Sequence, residues 1–243
     1  MKEWFTPGSD YPFYSFGTSH IIVLVIFFII LIAIPLFSSR LNKYKRTFQT
    51  VRFSLLILLI WSEVSYQTWT AVNGLWNFAD HMPLHLCGIA SLLGMVSLIT
   101  YKPKLIKINF FIGIIPALIA LITPDLPYDY HHYRFWKFFL HHMAIPWTSL
   151  FLVVTARVEI TWKDMIETYA YLVGYAVIIG LINFWTGANY LYLDHPPGAG
   201  TLLGVIGDGI AYILNLSLLA LFTFLVMLGF YKLSRRFLTR KEE

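Results

Sequence analysis

The chain's one cysteine ends a short stretch, His81-Met-Pro-Leu-His-Leu-Cys87, and two adjacent imidazoles, His141-His142, follow farther along. A thiol and an imidazole can act as nucleophile and base. The imidazole removes the thiol proton, the sulfur attacks an acyl carbonyl to give a thioester, and the same imidazole then activates an accepting alcohol or water. Pro83 suits the first turn of a helix, where a missing N–H costs little. Cys87 would then lie one turn in, roughly 5 Å below the membrane interface, where free N–H groups and the positive dipole end favour a thiolate. His141 and His142 fall seven residues into their own helix, roughly 10 Å deep and close to the same level. Adjacent residues point about 100° apart on a helix, so one of the two at most faces Cys87. The plainer readings stay open: a lone cysteine packs as a small apolar residue, and the histidine pair satisfies polar groups between helices.

Other polar residues fall inside apolar runs. Glu63 and Gln67 are four residues apart and share a helix face; a buried Glu there is a functional acid, a proton site or hydrogen-bond glue, with glue favoured. Asn183 and Asn215 read as hydrogen-bonding groups between helices. His81 and His85 are one turn apart, but no HExxH and no carboxylate at matching spacing accompanies them, so neither a metal nor any other cofactor is expected. A single cysteine excludes an intramolecular disulfide, a cysteine-based zinc cluster and an iron–sulfur site.

The elements that must position these groups are membrane helices. Of the 243 residues 58% are hydrophobic and 13% charged, where a soluble domain carries about 25% charged residues; mean hydropathy is +0.65. Seven segments are long enough to cross a core of ~30 Å, near 19–38, 54–77, 84–101, 108–123, 135–156, 165–186 and 207–231. The fourth is short and contains Pro116; the fifth contains Pro146. The expected fold is all-α: one polytopic transmembrane bundle spanning 1–243. The first apolar run lacks a charged leader segment and reads as a retained helix. Fifteen of the 18 Lys and Arg fall after odd-numbered segments. This bias predicts seven helices with the N-terminus outside and the C-terminus cytoplasmic, in the cell membrane. It also accounts for the net charge of +5 without nucleic acid. All eight histidines map to the outer half, with Trp76, Trp136 and Trp185 near the outer interface. The Gly- and Pro-rich stretch 187–206 reads as an ordered outer loop.

Four stretches in order resemble one family: Met82-Pro-Leu-His-Leu-Cys87, Leu121-Ile-Thr-Pro-Asp-Leu126, His132-Tyr-Arg-Phe-Trp-Lys-Phe-Phe-Leu-His-His142 and Gly187-Ala-Asn-Tyr-Leu-Tyr-Leu193. The chain is similar to the YwaF family of bacterial membrane proteins, whose animal relatives include transmembrane protein 164, from about residue 15 to 230. Those relatives are regarded as cysteine-dependent acyltransferases that move fatty acyl chains between phospholipids. The resemblance implies that Cys87 accepts the acyl group and that His142, rather than His141, is the matching histidine. It implies that His85, Asn189, Tyr190 and Tyr192 line the site. His141 joins them as a substrate-binding residue, and Arg134 and Lys137 are placed to pair with a phosphate. A membrane acyltransferase acting on phospholipid or lysophospholipid is therefore the leading expectation. The alternatives are a proton- or metal-linked transporter, a small-ligand-binding protein without catalysis, and a structural partner in an envelope or lipid-synthesis complex.

Overall fold

A computed structural model describes residues 2–8, 11–197 and 202–239. The helices in chain order are α1 (Lys2–Phe5), α2 (Thr18–Leu36), α3 (Ser38–Lys43), α4 (Lys45–Val72), α5 (Phe78–His81), α6 (Leu86–Thr100), α7 (Pro103–Gly113), α8 (Ile115–Ile122), α9 (Tyr133–Ala156), α10 (Trp162–Thr186) and α11 (Gly209–Thr239). Two 3₁₀ turns, Tyr190–Tyr192 and Leu202–Val205, lie between α10 and α11. Among the described residues the one β-type feature is an isolated bridge between Pro12 and Tyr128. The fold is an all-α polytopic bundle. Helices suit a bilayer because they satisfy every backbone group within the segment.

Six helical stretches among the described residues are long and apolar enough to cross a membrane: Thr18–Leu36, Lys45–Val72, Pro103–Ile122, Tyr133–Ala156, Trp162–Thr186 and Gly209–Arg235. The remaining sequence segment is the 15-residue Leu86–Thr100, which at 1.5 Å per residue reaches only ~22 Å. The short element is thus the third rather than the fourth. Its helix starts at Leu86, because the chain at 82–85 folds back first. An ideal Cβ on Gly88 would stand 2.5 Å from the Pro83 carbonyl oxygen, so the turn closes over a bare glycine. The fourth stretch breaks at Ile114, between α7 and α8, with Pro116 in the first turn of α8. Proline has no N–H to continue the ladder. Pro146 lies within α9, which continues through it.

The contacts divide the chain into two compact units, 1–157 and 158–243. In the first, α9 is the central post: α2, α4, α6, α7 and α8 all pack on it. Phe135, Phe139, Phe151 and Leu152 on α9 are fully buried. The Trp147 indole donates to the Phe27 carbonyl at 3.2 Å, and the Asn109 amide donates to Ser149 Oγ at 3.0 Å. Arg52 on α4 ties down the end of α6, donating to the Leu98 and Ile99 carbonyls at 2.6 and 3.0 Å. Those carbonyls have no helical partner of their own.

The N-terminal segment is stitched to this unit by two histidines that use both ring nitrogens. His20 Nδ1 accepts the Phe16 N–H and its Nε2–H donates to the Leu121 carbonyl, both at 2.8 Å. His132 Nε2–H donates to the Thr6 carbonyl at 2.9 Å while Nδ1 accepts the Arg134 N–H at 3.1 Å. Carbonyls only accept, so each ring is fixed as the neutral Nε2–H tautomer. Burial holds the His132 imidazole below the usual histidine range, against the pull of its bond to Thr6; Arg134 lowers it further.

In the second unit α10 and α11 pack together. A capping box at Thr161 and Asp164 starts α10, and Gly187 in the left-handed region ends it. Tyr169 OH meets Ser217 Oγ at 2.6 Å, and Tyr231 OH donates to the Val158 carbonyl at 2.9 Å. Arg235 pairs with Glu159 at 3.3 Å.

Candidate functional site

Three elements of the first unit supply the candidate site: α4, the start of α6, and α9. On α9, Arg134, Lys137 and His141 recur at intervals of three and four, which places them on one stripe. On α4, Ser62, Tyr66 and Trp69 form the facing stripe. The stripes meet in antiparallel register. His141 Nδ1 lies 2.8 Å from Ser62 Oγ. One turn along, the Lys137 ammonium sits 4.2 Å from the Tyr66 ring centroid. At the next level the Arg134 guanidinium lies 4.5 Å from Tyr66 and 5.4 Å from Trp69. A cation over an aromatic face is held without being neutralised. Among the described residues, the side chains of Lys137 and Arg134 donate no hydrogen bond and form no ion pair.

Cys87 is half-buried in the first turn of α6, so it lies nearer the helix start than the sequence implied, with Pro83 in the preceding turn rather than inside the helix. It remains among the helix's uncommitted N–H groups, where the dipole favours negative charge. His85 is the residue that precedes the helix; burial holds its imidazole below the usual range, against the opposing pull of Asp80. Lys137 stands within electrostatic reach of Cys87, Glu63 and Arg134, and of His141 and His142. Glu63 is bridged to the start of this region by Gln67, whose amide donates to the Glu63 carboxylate at 2.9 Å and to the His81 carbonyl at 2.7 Å. The Trp76 indole donates to the Gln67 carbonyl oxygen at 2.8 Å.

The two adjacent histidines do different things. His141 is buried and committed to Ser62. His142 is half-buried and donates Nδ1–H to the Phe138 carbonyl at 2.8 Å, one turn back on its own helix. That bond leaves Nε2 with the basic lone pair. No hydrogen bond joins His142 to the Cys87 sulfur among the described residues. Contacts among the described residues thus tie His141 to Ser62, His142 to Phe138, and the Lys137 and Arg134 cations to the Tyr66 and Trp69 rings, without an assembled thiol–imidazole pair.

The other expected site residues belong to the second unit. Asn189 shapes its own loop: its amide donates to the His195 carbonyl at 2.8 Å and its carbonyl oxygen accepts the Asp194 N–H at 3.1 Å. Tyr190 is fully buried, and Asn183 clasps its backbone with two bonds of 2.9 and 3.0 Å. Tyr192 is half-buried, and it and Leu191 adopt positive φ. Asn183 and Asn215 serve loop backbone rather than a neighbouring helix, since Asn215 donates to the Ile206 carbonyl at 2.7 Å. Part of the 187–206 stretch, 198–201, lies outside the described residues.

Glu63 and Lys137 are the groups that sequence reasoning undervalued. Their signal was the matched spacing of polar residues on α4 and α9. Among the described residues no group of three or more His, Cys, Asp and Glu side chains stands close enough to hold a metal ion.

A family model described as the TMEM164 family matches residues 15–228. An uncharacterized protein of Treponema pallidum (strain Nichols) is 24% identical over 124 residues, 50% of each chain. The chain thus spans about half the length of the curated relative it matches. No solved structure matches.

Proposed function

Because this chain belongs to the TMEM164 family, we propose that it is a membrane-embedded acyltransferase working on phospholipid or lysophospholipid through a thioester on Cys87. The four motifs that resemble the YwaF branch support this reading. So does one observation above the rest: on α9, His142 spends Nδ1–H on the Phe138 carbonyl and so keeps a basic Nε2, on the same helix as the Arg134 and Lys137 cations over the Tyr66 ring.

In this mechanism a phospholipid ester enters beside α4, α6 and α9, and Arg134 takes its phosphate. His142 Nε2 removes the Cys87 proton as the substrate seats; catalytic hydrogen bonds often tighten only in the complex. Sγ attacks the acyl carbonyl, the ester C–O bond breaks, and His142 returns the proton to the leaving lysophospholipid oxygen. The thioester is then attacked by the hydroxyl of a second lysophospholipid, whose proton passes to His142 as the thiolate leaves. His85 and His141 contribute to binding and shape. The site opens to the outer leaflet of the cell membrane, in a seven-helix topology with the N-terminus outside and the C-terminus cytoplasmic. This orientation follows from the bias of Lys and Arg.

Intact-protein mass spectrometry after incubation with phospholipid tests the reading. A hydroxylamine-labile acyl adduct, absent in Cys87→Ala and altered in His142→Ala, is the expected result. If Cys87→Ala and Cys87→Ser proteins keep full acyl transfer in defined liposomes, the reading fails.

The break between α7 and α8 favours a second reading, because interrupted helices line the substrate paths of transporters. A proton-linked transporter would lose uptake in proteoliposomes on Glu63→Gln and keep it on Cys87→Ala.

A further inference from the structure

Helix α9 begins with charges that its own dipole disfavours. The first turn of a helix is its positive end and suits acidic residues. In α9 that turn has none and carries Arg134 instead, with Lys137 one turn on. We propose that Arg134 and Lys137 together clamp one phosphate, that of a phospholipid whose head group is net negative, with the Tyr66 ring as the post that spaces them. The proposal rests on the acyl-transfer reading for bringing phospholipid to this site, and adds to it Lys137, Tyr66 and a class of head group.

The Arg134 guanidinium lies 4.5 Å and the Lys137 ammonium 4.2 Å from the same Tyr66 ring centroid. The two charges therefore stand at most about 9 Å apart, a gap that one phosphate spans with charge-assisted hydrogen bonds of about 2.8 Å on each side. Like charges at that spacing repel each other. Both side chains are half-buried, so water screens them only in part. Among the described residues neither forms an ion pair or donates a hydrogen bond, and an aromatic ring attracts a cation without cancelling its charge. An anion between them relieves the repulsion and takes the unused N–H groups of both.

The frame around the two cations is fixed. Tyr133 OH donates to Ser65 Oγ at 2.7 Å, and His141 Nδ1 meets Ser62 Oγ at 2.8 Å, so α4 and α9 are pinned on either side of Tyr66. The Trp69 ring, 5.4 Å from the Arg134 guanidinium, is itself held by its N–H bond to the Phe5 carbonyl at 2.7 Å. Cations already held at a set spacing lose little freedom when the anion arrives.

The same arrangement selects the head group. A choline head brings a positive charge that the pair repels, and a quaternary ammonium is received by open aromatic faces; the Tyr66 ring already carries two cations of the protein. Glu63, the carboxylate of α4, accepts the Gln67 amide at 2.9 Å, and Asp80 of α5 accepts the Asn77 amide at 2.8 Å. Neither carboxylate pairs with Arg134 or Lys137 among the described residues. A phosphodiester with an uncharged glycerol head adds negative charge alone.

The test is equilibrium binding of dioleoylphosphatidylglycerol and dioleoylphosphatidylcholine to the full chain in detergent, read by native mass spectrometry. Cys87→Ala serves as the parent, so that no thioester forms during the measurement. The glycerol lipid should bind about tenfold more tightly than the choline lipid. Arg134→Gln and Lys137→Gln should each remove most of that difference, and Lys137→Arg should keep it to within about twofold. Tyr66→Phe retains the ring and should match the parent, whereas Tyr66→Leu should lose the preference while its circular dichroism stays helical. Equal affinity for the two lipids would overturn the proposal, as would a Lys137→Gln or Tyr66→Leu protein that keeps the full preference. Inorganic phosphate in large excess should leave the glycerol lipid bound; its displacement by phosphate alone would mark a soluble-anion site and overturn the lipid assignment. The acyl-transfer reading fails separately. A preference that depends on both cations, in a protein that forms no acyl adduct with Cys87 present, removes the transferase and leaves the clamp. An adduct formed equally from both lipids and untouched by Lys137→Gln removes the clamp and leaves the transferase.

Discussion

Helices α9 and α10 have nearly the same length, 24 and 25 residues, yet they meet their surroundings in opposite ways. In its most apolar stretch α9 is 67% buried, against 17% for α10. The difference marks where polar chemistry can be housed. Helix α9 carries Arg134, Lys137, His141, His142, Thr148 and Ser149, because neighbouring helices cover it and offer Ser62, Tyr66 and Asn109 as partners. Past its first turns, α10 turns Val173, Val177, Ile178, Leu181 and Phe184 outward. In hydrocarbon such a face accepts only apolar groups, since an ionised side chain there has no compensation.

Truncating one phenylalanine in each helix should separate them most. Phe139→Ala removes a ring that is 0% exposed and should cost about 3–5 kcal/mol. Phe184→Ala, at a position 83% exposed, should change little. Reversible unfolding in mixed micelles measures both, and equal losses would erase the contrast. Glycines sharpen it next. A methyl group on Gly88 meets the Pro83 backbone, whereas one on Gly174 of α10 meets nothing within 4 Å. Gly88→Ala should therefore destabilise by about 1–3 kcal/mol and disturb Cys87 labelling, while Gly174→Ala should be neutral or gain up to about 1 kcal/mol. Hydrogen exchange along both segments would report either change.

Smaller still is the start of α10. Thr161→Ala removes the Oγ1 that accepts the Asp164 N–H, while the backbone N–H of residue 161 keeps its bond to the Asp164 carboxylate; it should cost about 1 kcal/mol. The loss should appear as faster amide exchange in residues 162–165, and α9 should be untouched. The least effect expected is acidic release of the N-terminal segment. The His132 imidazole is held below its usual range, so the folded form resists protonation. Its contribution is complete above the unfolded value near 6.5 and fades as pH falls below it. Limited proteolysis within residues 2–17 should accelerate between pH 7 and pH 5, while cleavage in the second unit stays constant. A pH-independent pattern would show that the bonds from His132 to Thr6 and Arg134 do not latch the segment.

The apolar runs identified the helices, but the edges moved in a consistent direction. The second helix starts at Lys45 rather than near 54, and the fourth at Pro103 rather than near 108. Hydropathy reports where side chains tolerate lipid; the backbone ladder continues past that limit, through Arg46, Arg52, Lys104 and Lys107. The third helix moved the other way, because the fold of Pro83 over Gly88 is a three-dimensional fit with no periodic trace. At the site, the paired histidines and the cysteine were visible as residue types. The division of labour between His141 and His142 was not, since it depends on which acceptor lies within 3 Å of each ring. Lys137 was read through its charge alone, as one of few cations opposite the basic loops. Its place over Tyr66 required the register of α4 against α9.

The two histidine clasps also govern the order of assembly. Thr6 must await His132, 126 positions later, and at about 5–20 residues per second that is roughly 6–25 s of translation. Phe16 is held by a ring whose other nitrogen must await Leu121, 101 positions beyond His20. Until then Thr6 lacks its His132 partner, although the Phe5 carbonyl can already take the Trp69 indole N–H. The amino-terminal stretch is made first and seated among the last, closing over the first unit only as α9, which begins at Tyr133, emerges.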